Sequence, residues 1–275
     1  MKDIEKELAE KRKQQPSLGV TTITLNRLPI FQPTLRAEYR EASFESPHGR
    51  ITVRGRLGQN HKTLLEAVLY LRKLYDLDEE NMRLRVLYDE YEVKKHLTKG
   101  ATTYSYEGYK QMLEDMKQAY VILEAREQMQ IIEGNLIKGI KPSNNYSKKS
   151  KGNLPPVKGK NIPYVILEFG EVVSYLFSKE LKFTYDPRPI ANLRSGISQA
   201  VARYLQTHRS HPPAGYHLRQ LIEILEGKME NKRWWTVKEY LKEDAKYLRQ
   251  LNIDIDFKKD RLFVTENASV LRLVI

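Results

Sequence analysis

Basic and aromatic side chains recur at helical spacing in residues 231–251, NKRWWTVKEYLKEDAKYLRQL. With about 100° of rotation per residue, one side of a helix would carry Trp235, Lys238, Lys242, Lys246 and Arg249. Cationic groups in such a row neutralise DNA phosphates, and an indole among them can contact a thymine methyl group. The pattern indicates a DNA-binding helix. The alternative is an amphipathic helix with a solvated lysine face.

The opposite side of the same helix is apolar, with core positions at Val237, Leu241 and Leu248. Trp234 lies near the edge of this arc, so we expect it to pack inward while Trp235 points outward. A recognition helix meets base edges near its first turn, which here contains Asn231, Lys232 and Arg233. We therefore predict base contacts at this end and phosphate contacts from the lysines farther along.

Residue types for catalysis do not assemble at suitable spacings. The chain has no G-x-x-x-x-G-K-[ST] phosphate-binding loop and no cysteine. Its histidine cluster, HRSHPPAGYH at 208–217, has H-x-x-H spacing but no acidic or cysteine ligand nearby, which favours a helix-end loop over a metal site. We expect no metal, no cofactor and no catalytic residue.

Hydrophobic periodicity places a repeated order of elements around the basic helix. The first half reads as strands at 50–57 and 82–89, helices at 61–75, 90–97 and 106–124, and then two strands that flank a lysine-rich loop. The second half has helices at 189–209 and 215–227, followed by the basic helix and a closing hairpin, IDIDF–KKD–RLFVT.

Both halves follow the order of a winged helix-turn-helix. The sequence therefore predicts an α+β fold with two tandem winged-helix domains. The predicted organisation is a charged flexible arm at 1–20, a first domain at 21–169 with a long basic wing, and a second domain at 170–275.

Further cations are candidates for DNA contacts outside the basic helix. On the exposed face of the helix at 106–124 lie Lys110, Gln111 and Lys117, interrupted by acids, so phosphate contacts are expected there. The loop 138–160 contains seven lysines, among them Lys148 and Lys149, and no acid. The hairpin turn adds Lys258 and Lys259. The loop is either a surface loop or a wing that follows the phosphate backbone, and the two interpretations are compatible.

Composition restricts the remaining possibilities. The loop 138–160 accounts for +7 of the net charge of +12, so the total charge mainly reports that loop. No apolar run is long enough for a membrane span, and the N-terminal residues lack the apolar stretch of a signal peptide. We expect a cytoplasmic protein without a membrane partner.

Several stretches resemble plasmid replication initiators, in particular the TrfA-like branch. They cover roughly residues 25–266, and their order and spacing carry the resemblance. The stretches are LPIF (28–31), VLYDEYEVKKHL (86–97), AYVILEA (119–125), YVILEFGEVVSYLF (164–177) and AVARYLQTHRSHPPAGYHLRQL (200–221).

The resemblance implies two tandem winged-helix domains that bind directly repeated origin sequences in double-stranded DNA. It also implies opening of an adjacent AT-rich element, help in loading the host helicase, and dimers joined through the first domain. The recognition helix of the family falls on 231–249, which gives Lys232, Arg233, Trp235 and Lys238 the base-contact role.

Two other functions remain open at this point. A transcriptional repressor would use the same two domains to bind one palindrome as a dimer. A nicking or strand-transfer enzyme would need a His–hydrophobe–His pair or an Arg/His/Arg/Tyr set, and neither assembles from the residues present.

Overall fold

The computed structural model describes residues 19–46, 49–97, 105–125, 130–143, 164–208, 210–265 and 272–274. Most of the predicted N-terminal arm and the lysines Lys148 and Lys149 lie outside the described residues. The described residues form a mixed α/β fold with nine helices and several antiparallel sheets. None of these helices combines the length and apolar character that crossing a bilayer requires.

The first half of the chain alternates strands and helices. Its strands are β1 (Thr21–Thr22), β2 (Arg40–Ser46), β3 (Gly49–Gly55), β4 (Leu74–Asp78), β5 (Arg83–Asp89), β6 (Tyr120–Ala125), β7 (Gln130–Asn135), β8 (Ile137–Ser143) and β9 (Tyr164–Phe169). Its helices are α1 (Ile23–Arg27), α2 (Gln59–Tyr70), α3 (Glu90–His96), α4 (Tyr106–Gln118) and α5 (Glu171–Lys179).

The second half is mainly helical and ends in short strands. Its helices are α6 (Arg188–Ala191), α7 (Gly196–Gln206), α8 (Leu218–Glu226) and α9 (Asn231–Gln250). Its strands are β10 (Lys182–Thr184), β11 (Tyr216–His217), β12 (Ile253–Asp256), β13 (Arg261–Val264) and β14 (Arg272–Val274). The closing hairpin and the basic helix are confirmed. The single helix predicted at 189–209 is instead two helices, α6 and α7, and the helix predicted at 215–227 is α8, preceded by the strand β11.

Four antiparallel sheets connect these elements. Two four-stranded sheets in the first half have the orders β2-β3-β6-β7 and β4-β5-β9-β8, so β8 and β9 form the hairpin that flanks the basic loop, as predicted. The small sheet β11-β13-β12 closes the second half. In the remaining sheet, β1-β10-β14, the first-half strand β1 pairs with β10 of the second half, which also pairs with β14.

The predicted helix at 106–124 is wrong at its end, because α4 stops at Gln118 and residues 120–125 form the strand β6. The helical spacing of apolar residues continues through Tyr120 and Leu123, which explains the prediction. The run Val121–Leu123 is instead held between β3 and β7, where Val121 lies opposite Val53 and Leu123 opposite Ile132. Pairing on both sides outweighs the local helical pattern.

Buried side chains form two hydrophobic clusters. The first runs from Val20 to Phe177, and the second runs from Tyr185 to Leu262. The apolar face of α5, including Val173 and Phe177, belongs to the first cluster. The division between the clusters therefore falls after α5, whereas the predicted domain boundary lies before it, at 169/170.

Candidate nucleic-acid interface

Helices α8 and α9 are joined by a short turn, and both pack on the second core. Helix α8 buries Leu218, Leu221 and Ile222 and ends at Glu226, followed by the C-cap Gly227, whose φ of 96° suits glycine. Helix α9 begins at Asn231 after a turn of only a few residues. It packs on the same core through Trp234, Val237, Leu241 and Leu248.

Arg219 of α8 holds this turn together. Its guanidinium donates to the Met229 carbonyl at 3.0 Å, to the Asn231 Oδ1 atom at 3.2 Å and to the Glu223 carboxylate at 3.1 Å. The same group lies 6.0 Å from the centre of the Trp234 ring. These contacts orient the first turn of α9 relative to α8. Arg219 is not among the predicted site residues, and its only signal in the sequence is its i,i+4 spacing to Glu223.

The two tryptophans have the predicted orientations. Trp234 is 6 % exposed and lies in the second core, whereas Trp235 is 62 % exposed. Asn231 and Lys232 are also exposed, so the first turn of α9 presents an amide, an ammonium group and an indole to solvent. This combination can donate hydrogen bonds to bases and phosphates and can make an apolar contact in a groove.

Lys238 does not lie on the exposed face, contrary to the prediction. It is only 7 % exposed, and its Nζ atom donates to Asp260 Oδ1 at 2.5 Å and to the Phe257 carbonyl at 3.3 Å. The same ammonium group lies 5.4 Å from the centre of the Trp235 ring. The turn of the β12–β13 hairpin covers this part of α9, a tertiary contact that helical spacing does not encode. Lys238 joins the hairpin to the helix.

Other predicted cations of α9 are exposed or half-buried and partly neutralised by neighbouring acids. Arg233 pairs with Glu226 of α8, with its Nε atom 2.7 Å from Oε1. Similar pairs are Lys242 with Glu239 at 2.6 Å and Arg249 with Asp254 at 2.8 Å. Exposed pairs of this kind contribute about 0–1 kcal/mol to stability, so a DNA phosphate can replace the carboxylate.

Lys232 and Lys246 are exposed and form no ion pair with a described residue. They lie near opposite ends of α9. At about 1.5 Å per residue they are separated by roughly 21 Å along the helix. Both ammonium groups are therefore available to a polyanion without the loss of an ion pair in the described part of the chain.

The hairpin turn carries two further exposed cations beside α9. The carboxylate of Asp256 accepts from the backbone amides of Lys258 and Lys259 at 3.0 and 3.1 Å, and these hydrogen bonds lower the pKa of Asp256. The turn ends at Asp260, which has a φ of 50°. Both lysines are exposed, and the Nζ atom of Lys259 lies 3.9 Å from Asp256 Oδ2.

The exposed face of α4 is mixed in charge. Lys110 lies 4.4 Å from the centre of the Tyr106 ring, Gln111 donates to Asp115 at 2.9 Å, and Lys117 lies 3.8 Å from Glu114. A groove of about 710 Å³ runs between α4 and the β8–β9 hairpin. Three carboxylates line it, from Glu90, Glu107 and Glu114. The structure thus brings Lys110, Gln111 and Lys117 to one helix but surrounds them with acids.

Asp244 is a buried carboxylate on the core side of α9. It is 0 % exposed and accepts from the backbone amides of Arg194 and Ser195 at 2.8 and 2.9 Å. Those amides precede the first turn of α7, whose N-cap is Ser195. Asp244 therefore anchors the middle of α9 to the start of α7. Its place among apolar core positions was the only sequence signal for this role.

The histidine cluster contacts aromatic residues. His208 Nδ1 lies 2.9 Å from the Tyr204 carbonyl oxygen, and His211 Nδ1 lies 2.9 Å from the Tyr216 hydroxyl. Burial, together with the positive charge of Arg27, lowers the pKa of His208 to about 4. Within the described ranges, no group of three or more side chains of the usual metal-ligand types comes together.

Comparisons with known proteins give matches in structure but none in sequence. No protein-family model matches the chain, and no curated protein matches its sequence. The crystal structure of domains 2 and 3 of RctB (a selenomethionine derivative) aligns with a TM-score of 0.50 and 11 % identity, covering 89 % of this chain and 96 % of that one. A second structure of RctB domains 2–3 aligns with a TM-score of 0.46 and 12 % identity, covering 88 % and 87 %.

RctB is a replication initiator of Vibrio chromosome II. The first alignment shows that the chain shares the fold of RctB domains 2 and 3 across nearly its whole length. The expected resemblance to replication initiators is thus confirmed at the level of the fold. The finer assignment to the TrfA-like branch stays a prediction.

Proposed function

We propose that the protein is a replication initiator that binds directly repeated sequences in double-stranded DNA. The observation that carries this proposal is the α8–α9 unit, whose exposed first turn stands beside a basic hairpin. This unit belongs to a fold that is shared with domains 2 and 3 of RctB. A plasmid replicon is the setting that the sequence resemblance suggests.

In this proposal the second half acts as a winged helix-turn-helix. The order α7, β11, α8, α9 and the β12–β13 hairpin supplies its elements. The first turn of α9 enters the major groove, where Asn231, Lys232, Arg233 and Trp235 meet base edges. The hairpin lies along the backbone and brings Lys258 and Lys259 to phosphates.

The cations farther along α9 contact phosphates as the helix leaves the groove. Lys246 needs no rearrangement, whereas Lys242 and Arg249 exchange a carboxylate partner for a phosphate. Lys238 acts through the hairpin by holding Asp260 and Phe257 in place. The first half adds phosphate contacts from Lys110, Gln111 and Lys117, and the basic segment with Lys148 and Lys149 extends them.

The two halves differ in sequence and in their sheets, so one chain presents two different surfaces to DNA. Such a protein suits an asymmetric repeat, whereas a repressor that reads a palindrome as a dimer needs only one DNA-binding unit per chain. The proposal includes cytoplasmic action without catalysis or cofactor, contact with host helicase or initiator proteins, and homodimers through the first half.

Recovery of bound DNA tests the proposal. The purified chain is incubated with sheared DNA of its own replicon at about 150 mM salt, near physiological ionic strength, and the retained fragments are sequenced. We expect several direct repeats of about two helical turns each beside an AT-rich stretch. A single palindrome that overlaps a promoter would favour the repressor, and equal retention of all fragments would contradict sequence-specific binding.

A further inference from the structure

A strip of polar side chains, with a glycine at its start, runs along helix α7 to its C-cap and is buried against the first half. Its members are Gly196, Gln199, Arg203 and Thr207, and all are excluded from solvent. At about 100° per residue they fall within roughly 80° of one another. The apolar residues of α7, such as Ile197 and Val201, point instead into the second core.

A matching strip lies on helix α2 of the first half. Gln59, Lys62, Thr63 and Glu66 have the spacing i, i+3, i+4, i+7 and are buried. We call these two strips together the buried polar seam. The seam lies between the two hydrophobic clusters, so its hydrogen bonds join one half of the molecule to the other.

Arg203 is the centre of the seam. Its guanidinium donates to both carboxylate oxygens of Glu66 at 2.8–3.0 Å, to Gln59 Oε1 at 2.7 Å and to Thr63 Oγ1 at 2.9 Å. Glu66 also accepts from the Tyr185 hydroxyl at 2.6 Å. A planar guanidinium with this many partners tolerates only one arrangement of the two helices.

The buried charges depend on one another. Burial favours the neutral form of Glu66, but the positive charges of Arg203 and Lys62 outweigh it and lower the pKa of that carboxyl. Burial also lowers the pKa of Lys62 to about 8, although Glu66 lies only 3.5 Å away. Any sliding of α7 along α2 would leave a buried charge without a partner, which is strongly unfavourable.

Close backbone packing also fixes the position of the start of α7 against the first half. A Cβ atom on Gly196 would lie 2.5 Å from the backbone of Thr34 in the first half. At the other end of the helix, Arg27 donates to the Thr207 hydroxyl at 3.0 Å and to its carbonyl oxygen at 2.6 Å. Helix α7 is therefore held to the first half along its whole length.

We infer that the buried polar seam holds the two halves in one orientation and thereby sets the spacing between the DNA segments that they contact. This inference rests on the proposed function, because it concerns how one chain spans its site. Arg203 and Gly196 are positioning residues in this view, since neither can touch DNA.

The orientation can be measured without DNA. Because the chain contains no cysteine, spin labels can be attached through Lys117→Cys and Lys246→Cys, one in each half. We expect a single narrow distance distribution by pulsed electron paramagnetic resonance. Arg203→Met and Gly196→Ala should broaden it, Arg203→Lys should broaden it less, and Gly139→Ala, where no atom lies within 4 Å of the new Cβ, should leave it unchanged.

The spacing is then measured on DNA. The unlabelled chain selects sites from a random-sequence duplex library, a recovered site is footprinted, and two base pairs are inserted between the protected segments. That insertion rotates one segment by roughly 70° relative to the other. The insertion should weaken binding of the unsubstituted chain at least about tenfold, and binding of the folded Arg203→Met and Gly196→Ala variants less than about threefold.

The results of these two experiments distinguish a failure of the inference about the seam from a failure of the proposed function. An unchanged distance distribution in folded Arg203→Met and Gly196→Ala variants would overturn the inference. So would an equal insertion penalty for these variants and the unsubstituted chain, or a footprint with a single protected segment. A broadened distribution together with no enriched sequence would instead contradict the proposed function and leave the seam as the element that orients the halves.

Discussion

Lys238 has two possible roles. Its sequence position suggests a contact with DNA, whereas its contacts in the structure indicate that it attaches the β12–β13 hairpin to α9. The sequence places it in a row of DNA-contacting cations, whereas its ammonium group is bonded to Asp260 and to the Phe257 carbonyl. Lys238→Met keeps an unbranched side chain and removes the charge. A hydrogen bond to a charged group contributes about 1.5–3 kcal/mol. Because the Asp260 side chain is 45 % exposed, we expect a loss of only about 1–2 kcal/mol in the free energy of unfolding.

Two measurements on this variant check that reasoning. Urea denaturation gives the free energy of unfolding, and the same change in an Asp260→Asn background should cost much less, because the partner is already neutral. Titrations with a selected duplex at several salt concentrations give the slope of log K against log salt. That slope changes by about 0.9 for each phosphate contact that is lost.

Lys246→Met is the matched control on the same helix. It should lower the salt slope by about 0.9 without a measurable change in stability, because Lys246 is exposed and forms no ion pair with a described residue. Lys238→Met should change stability and leave the slope within a few tenths. If Lys238→Met lowered the slope by about 0.9 and left the free energy of unfolding unchanged, Lys238 would be a phosphate contact, and its assigned structural role would be wrong.

Three further substitutions test other parts of the site. Asp244→Ala removes a buried carboxylate that accepts two amide hydrogen bonds, and it should lower the free energy of unfolding by about 3–5 kcal/mol in urea denaturation. Asp244→Asn should lose about half as much, and a loss below about 1 kcal/mol for Asp244→Ala would contradict the anchoring role. His208 has a folded-state pKa of about 4 against an ordinary value of 6.5, so the unfolded chain binds more protons between these values and stability falls as the pH falls through that window. The melting temperature should therefore drop less between pH 7 and pH 5 in His208→Gln than in the unsubstituted chain, and parallel curves would refute the assignment. Arg233→Ala should weaken binding by about 1–3 kcal/mol and relax discrimination at one base pair, measured against a set of single-base variants of the site; a uniform loss on all of them would show a phosphate contact instead.

The sequence predicted long periodic elements well. The apolar spacing of residues 231–249 indicated a helix, and α9 spans Asn231–Gln250. The opposite orientations of Trp234 and Trp235 also followed from that spacing and are confirmed. In both cases the local pattern and the tertiary packing favour the same structure, so periodicity alone was sufficient.

Predictions failed where packing between distant segments decides the outcome. Residues 120–124 continue the helical period of α4 but belong to the strand β6, because β3 and β7 pair with it. Lys238 has the position of a solvent-facing lysine on an isolated helix, and the hairpin turn near Asp260 covers it. Helical spacing gives the face of a residue, and it does not show what covers that face.

The buried polar seam shows the same limit for charged residues. Arg203 and Glu66 are separated by 137 positions in sequence and are buried against each other. Each is typical of a solvated helix face when its helix is considered alone, since charged residues are seldom fully buried unless paired. The pairing partner is visible only once the two helices are brought together.

The ratio of the affinities for a selected and a scrambled duplex tests whether the first turn of α9 reads DNA sequence. A duplex selected by the unsubstituted chain and a scrambled duplex of equal length are titrated with that chain and with the Lys232→Ala/Trp235→Ala double variant at one salt concentration. Specific sites are typically bound about 10³–10⁷ times more tightly than non-specific DNA. We expect the ratio to fall at least about a hundredfold in the double variant, chiefly through weaker binding to the selected duplex. An unchanged ratio in a folded double variant would show that this turn does not read DNA sequence.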